Sequence, residues 1–209
     1  MGRRILYALA APVLAVVIAF IVSSIFLLLA DASPAETFSS MWDYGTRTDS
    51  LISTVNRAIP LYISGVAVAI GFKMGLFNIG VEGQYRIATV VAAGVGAAVS
   101  LPAPLHVALI LVVAVLSGMA WVAIPVVLKV TRGVSEVIAT IMMNAISIGV
   151  TAWLLTNLLT DESDTSLATG TKVIPESGRF PTFNWLLEWM GVEVRRGFEL
   201  RGFVVVAIL

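Results

Sequence analysis

The sequence predicts an all-α fold: a polytopic membrane helix bundle with about five complete transmembrane helices, the start of a sixth, and a broken or re-entrant segment near 75–84. Three observations predict it. Charged residues make up 12% of the chain and hydrophobic ones 58%, whereas soluble domains carry roughly 25% charged residues. The charges cluster between long uncharged runs, and a run of about 20 apolar residues crosses a bilayer. Finally, the stretch Gly75-Leu76-Phe77-Asn78-Ile79-Gly80-Val81-Glu82-Gly83-Gln84 sets three glycines, two amides and a carboxylate between apolar runs.

Taken in order, Arg3 and Arg4 precede an uncharged run from Ile5 to Ala30, long enough for one crossing. Ala30-Asp31-Ala32 resembles a small-residue cleavage site, so a signal peptide is the competing reading. Signal h-regions extend to only about 7–15 residues, so a retained span is expected, with a mild kink at Pro12. Residues 31–57 are polar, and Met41 to Asn56 is expected to form a surface helix. Ala58 to Phe72 is a second span that extends past Lys73 if that lysine snorkels.

Ile87 to Leu128 contains no charged residue and is too long for one crossing. Leu101-Pro102-Ala103-Pro104 divides it into a span ending near Ser100 and another from about Leu105 to Leu128. His106, the sole histidine, is expected in the short loop there, as an interfacial residue rather than a ligand. Lys129 to Gly133 forms a basic loop, and Val137 to Thr160 makes a fifth span. In the polar stretch 161–202, the short aromatic segment Phe183 to Met190 suits the membrane interface.

A sixth span begins at Phe203, but the apolar run stops after seven residues, at Leu209. Residues 1–209 are therefore expected to be a single transmembrane domain, the amino-terminal fragment of a longer chain. Basic residues in short loops mark the cytoplasmic side. Arg3 and Arg4 put the amino terminus in the cytoplasm, and alternate crossings bring Lys73, Arg86, Lys129 and Arg132 to the same side. Arg195, Arg196 and Arg201 run against this pattern from the outer side, where long loops translocate largely regardless of charge.

Composition narrows the chemistry. Net charge is zero, so no nucleic-acid partner is expected, and membrane lipid is the partner the surface calls for. The absence of cysteine excludes disulfides and thiolate metal sites. No phosphate loop, zinc-protease helix or nucleophile-elbow motif occurs, so no catalytic residue, metal or bound cofactor is expected. The span interiors also lack the carboxylates that proton- or ion-coupled carriers often place there. That favours a subunit energised from outside over the alternative, a self-contained secondary transporter or channel.

Two constellations could carry function. Backbone freed from a helix at membrane depth needs partners in protein or in a water-filled cavity, so the 75–84 break is either a tight turn or a functional interruption. Glu136, Thr140, Asn144, Ser147 and Thr151 step by four, four, three and four, which lays them along one helix face. That stripe either lines a polar path or bonds to neighbouring helices. Small residues four apart, Ala67, Gly71 and Gly75, then Ala92, Gly96 and Ser100, form ridges for close helix packing.

The break closely resembles the signature of permease subunits of bacterial ABC importers for nucleosides and simple sugars, within the group that also serves ribose and branched-chain amino acids. Gly133-Val134-Ser135-Glu136-Val137-Ile138-Ala139-Thr140-Ile141-Met142-Met143-Asn144 resembles a second signature, and Thr171 to Pro181 is similar to the family's stretch before its sixth span. Asn78, Glu82 and Gln84 match the nucleoside and simple-sugar branch.

The resemblance implies a pore-forming subunit of the bacterial cytoplasmic membrane, not an enzyme. It would pair with a second permease chain, identical or different. ATP would be used by separate ATPase subunits, and an extracytoplasmic solute-binding protein would dock on 161–202. Phe77, Asn78, Glu82, Gln84 and Asn144 are then expected to border the translocation path, with Gly71, Gly75, Gly80 and Gly83 serving as hinge or packing positions. Glu82 alternatively pairs with Arg86 or Lys73.

Overall fold

The computed structural model describes residues 2–160, 170–191, 194 and 197–208. Within them the chain runs α1 (Gly2–Leu29), α2 (Pro34–Gly45), α3 (Thr48–Lys73), α4 (Val81–Ala98), α5 (Ala103–Arg132) and α6 (Glu136–Asn157). A 3-10 turn (Glu176–Gly178), α7 (Asn184–Trp189) and α8 (Phe203–Ile208) follow. Four helices among the described residues, α1, α3, α5 and α6, are long and apolar enough to cross a membrane.

α1 is an apolar rod whose side chains from Ala10 onward are almost all exposed. It meets α2 through Phe20 and Phe38, ring centroids 4.8 Å apart. α2 opens on a cap, Ser33 Oγ accepting from the Glu36 N–H at 3.4 Å with Pro34 in the first turn.

The expected surface helix over 41–56 is not one element. α2 ends at Gly45, where the Thr46 N–H returns to Trp42 O, and an extended Arg47 starts α3 with Asp49 in its first turn. α3 therefore begins ten residues before the expected Ala58. Its 26 residues give about 39 Å, longer than a ~30 Å hydrocarbon core.

The end of α3 is a Schellman motif. Gly75 sits at φ +73°, its N–H donates to Phe72 O at 3.0 Å, and the Leu76 N–H reaches Gly71 O at 2.9 Å. Gly75 is thus the stop of α3; among the described residues it and Ala67 are exposed, while Gly71 is half-buried. No atom lies within 4 Å of where a Gly75 Cβ would stand. Gly75→Ala is therefore expected to cost only the left-handed strain, about 1–2 kcal/mol. Thermal unfolding in detergent checks this, and an unchanged midpoint would contradict it.

α4, α5 and α6 form the packed centre, with α4 lying most extensively on α5 and then on α6. Two members of the second small-residue ridge, Ala92 and Gly96, are buried, whereas Ser100 is exposed beyond the end of α4. A Cβ on Gly96 would stand 2.8 Å from Ile110 Cδ1, and one on Gly94 would stand 2.6 Å from Leu159 Cδ2. α4 fills the place of the expected span ending near Ser100. It is shorter and more polar than its neighbours because Glu82, Gln84 and Arg86 occupy its first two turns.

His106 is not in a loop. It lies in the first turn of α5, which Pro102 and Pro104 start rather than interrupt, and it is fully buried. Its Nδ1 lies 2.9 Å from Ser177 Oγ and its Nε2 lies 3.0 Å from Gly96 O, so it joins α4, α5 and the 3-10 turn. α7 keeps Trp185 and Trp189 exposed, in line with an interfacial segment. α8 starts at Phe203 as expected and lies along α3. Residues 161–169, Arg195 and Arg196, part of the expected docking loop, lie outside the described residues.

Candidate functional site

The break proper is 74–80, and Glu82, Gly83 and Gln84 already belong to the first turn of α4. Helix starts leave their first N–H groups without partners, and in lipid each such group is costly. Here the partners come from side chains. Asn78 Oδ1 accepts the Gly80 N–H at 3.0 Å and the Gln84 Nε2 amide at 3.2 Å. Asn144 of α6 reaches across: its Oδ1 accepts the Gly83 N–H at 2.8 Å and its Nδ2 donates to Ile79 O at 2.9 Å. Glu136 Oε1 accepts the Phe77 N–H at 2.9 Å, while Oε2 takes Lys129 Nζ of α5.

Close approach explains two glycines. A Cβ on Gly83 would sit 2.9 Å from Asn144 Oδ1 and 3.2 Å from Asn144 Cα, and one on Gly80 would sit 3.0 Å from Thr140 Cβ. Gly80 and Gly83 are therefore packing positions, where α4 meets α6 backbone to side chain. Gly71 contributes its carbonyl to the α3 stop.

The polar stripe of α6 faces inward. Thr140, Ser147 and Thr151 are buried, and their hydroxyls bond to the backbone of their own helix, at 2.7 Å to Glu136 O, 2.6 Å to Asn144 O and 2.7 Å to Ser147 O. Glu136 and Asn144 are the members of the stripe that hydrogen-bond to the break and the start of α4.

Of the five residues expected to border a path, the structure draws Asn78, Gln84 and Asn144 into one network. Phe77 and Glu82 are exposed outside it. Phe77 rests on Phe72, centroids 5.3 Å apart. Glu82 pairs with Arg86 at 2.7 Å one turn on, and not with Lys73. Both members of that pair are largely solvent-accessible, so it contributes at most about 1 kcal/mol.

Sequence reasoning missed the pairing of Lys129 with Glu136 and the place of Trp121. Lys129 and Glu136 are seven residues apart and meet because Gly133, at φ +66°, turns α5 into α6; that glycine between a basic and an acidic residue was the available signal. Trp121 Nε1 is buried without a partner among the described residues and would lie 3.1 Å from a Gly83 Cβ. Nothing in its local sequence marks it.

The family model described as "Branched-chain amino acid transport system / permease component" matches residues 50–209. The chain belongs to this permease family. The permease is 37% identical to the guanosine ABC transporter permease protein NupP of Bacillus subtilis over 155 residues, covering 73% of this chain and 44% of that one. It is 31% identical to the glucose ABC transporter permease protein TsgB13 of Haloferax volcanii over 170 residues, covering 81% and 43%. It is 27% identical to the nucleoside ABC transporter permease protein NupB of Lactococcus lactis over 184 residues, covering 84% and 49%. The permease spans a little under half the length of these curated relatives. No solved structure matches it. The matched region contains the break, the α6 stripe and the 3-10 turn, so the network described above lies wholly within the family's part of the chain.

Proposed function

We propose that this permease contributes the translocation path of an ABC importer for a nucleoside, with a simple sugar as the nearest alternative solute. The similarity to a guanosine permease through the residues that build the break carries this reading. ATP is used by partner ATPase subunits, a second permease chain completes the path, and an extracytoplasmic solute-binding protein delivers the solute to the 161–202 side. The protein resides in the bacterial cytoplasmic membrane with its amino terminus inside, because Lys73, Arg86, Lys129 and Arg132 gather at the other helix ends. Residues 1–209 act as one transmembrane domain of a longer permease.

Within this reading the break lies at the cytoplasmic end of the path. Phe77 and Glu82 face the passing solute there. Asn78, Gln84 and Asn144 hold the wall in shape, which supports a path with weak contacts that releases its cargo readily. The permease reconstituted in proteoliposomes with its ATPase and binding-protein partners should take up labelled guanosine only with ATP present. Uptake by the permease alone, without ATP, would instead support a self-contained carrier.

A further inference from the structure

Two adjoining cavities of about 340 Å³ each lie along α3 and share Asn56 and Arg201. The outer one opens among Ser53, Arg57 and Glu199. The inner one continues past Pro60 and Ile63 to Ser64, Tyr85 of α4 and Phe203 of α8. Together they form one cleft with a charged mouth and an aromatic floor. Ser64 stands nine residues from the end of α3 at Lys73, about 13 Å along the helix axis, so the cleft passes the middle of α3.

The wall opposite α3 is fixed. Asn56 Nδ2 donates to Glu199 O at 2.8 Å and its Oδ1 accepts the Arg201 N–H at 3.0 Å. Leu200, buried between them, donates its N–H to Asn184 Oδ1 at 2.9 Å and accepts the Phe183 N–H at 3.0 Å. Phe203 is braced by Phe180, ring centroids 4.7 Å apart. The cleft is therefore a shaped space and not a gap beside a loose strand.

We propose that this cleft holds the solute near the middle of the path and suits a nucleoside better than a free hexose; the proposal rests on the transport function inferred above. The lining decides the class. A hexose exposes hydroxyls on every side, and each one buried without a partner costs free energy. Below Asn56, whose amide already bonds Glu199 O and the Arg201 N–H, the floor offers only the Ser64 and Tyr85 hydroxyls, neither partnered among the described residues. A nucleoside needs fewer partners there. Its planar base lies on Tyr85, Phe203 and the aliphatic wall, while its ribose hydroxyls reach the Ser64 and Tyr85 oxygens.

Residues 1–209 contain no cysteine, so an introduced one is the single thiol of this segment, and labelling of the wild-type transporter gives the background. Ser64→Cys and, separately, Ile63→Cys are placed in the assembled transporter and treated from outside with a membrane-impermeant methanethiosulfonate reagent. Both should label. Guanosine at ten times its dissociation constant should slow labelling about tenfold, and glucose at that concentration should not. Ala58→Cys, exposed on the opposite face of α3, should be indifferent to guanosine. Failure of both cleft cysteines to label in folded protein would mean that other helices fill the space. Labelling unaffected by guanosine, or blocked by glucose alone, would equally overturn the assignment. Wild-type uptake measured alongside separates the two readings: ATP-dependent guanosine uptake with an unprotected cleft rejects this site and leaves the transport function standing.

Discussion

Replacing Asn144 with leucine is expected to abolish uptake and to lower stability in detergent by about 2–6 kcal/mol. The estimate counts two groups, the Gly83 N–H and the Ile79 carbonyl, each losing its partner at about 1–3 kcal/mol. Leucine is similar in size, so the effect isolates the lost hydrogen bonds from the volume change. Gly83→Val should give a comparable loss by another route, because its side chain would drive into Asn144, backbone included. Glu82→Gln serves as the stability control, since its exposed pair with Arg86 adds little. Thermal midpoints of purified protein provide the readout. If Asn144→Leu melts with the wild type, Asn144 does not hold the break, and the site described above is wrong.

The second large effect lies at the opposite end of the bundle. His106→Ala should destabilise the protein by about 2–4 kcal/mol, combining a cavity with the loss of two hydrogen bonds. Gly96 O can only accept, so the ring carries a proton on Nε2, while Nδ1 faces the Ser177 hydroxyl. The 3-10 turn fits tightly over this ring: a Cβ on Gly178 would stand 2.9 Å from His106 Cε1. Without the imidazole the turn should lift, and trypsin should cut faster at exposed Arg179. Ser177→Ala should show a smaller change of the same kind, about 1 kcal/mol. Unchanged cleavage in His106→Ala would show that the turn is anchored by something else.

Much of the bundle was legible because lipid imposes simple rules. Uncharged runs located α1, α5 and α6 within a few residues, and the four-residue ridge at Ala92 and Gly96 marked a real helix contact. The α2–α3 boundary was obscured because only Thr46 and the extended Arg47 separate two helices, and because the polar first turns of α3 read as part of a surface helix. His106 was misplaced for a related reason: a proline pair that divides an apolar run also starts a helix, and spacing does not say which.

The site was half legible. Periodicity put Asn144 on a shared face with Thr140 and Ser147, but it could not show that the face is buried against α4. Nor could residue types separate the three glycines of the break. Gly75 is needed for its positive φ, whereas Gly80 and Gly83 are needed for lack of bulk. That distinction exists only once α6 is placed beside the turn.

The uneven bonding around the break has a mechanical consequence. Asn144, Glu136 and Lys129 rivet the start of α4 to α6 and to the end of α5, while α3 touches α4 sparingly. A push delivered near Lys129 would thus carry three helices as one block, and the left-handed turn at Gly75 would be the pivot for the lever that α3 forms.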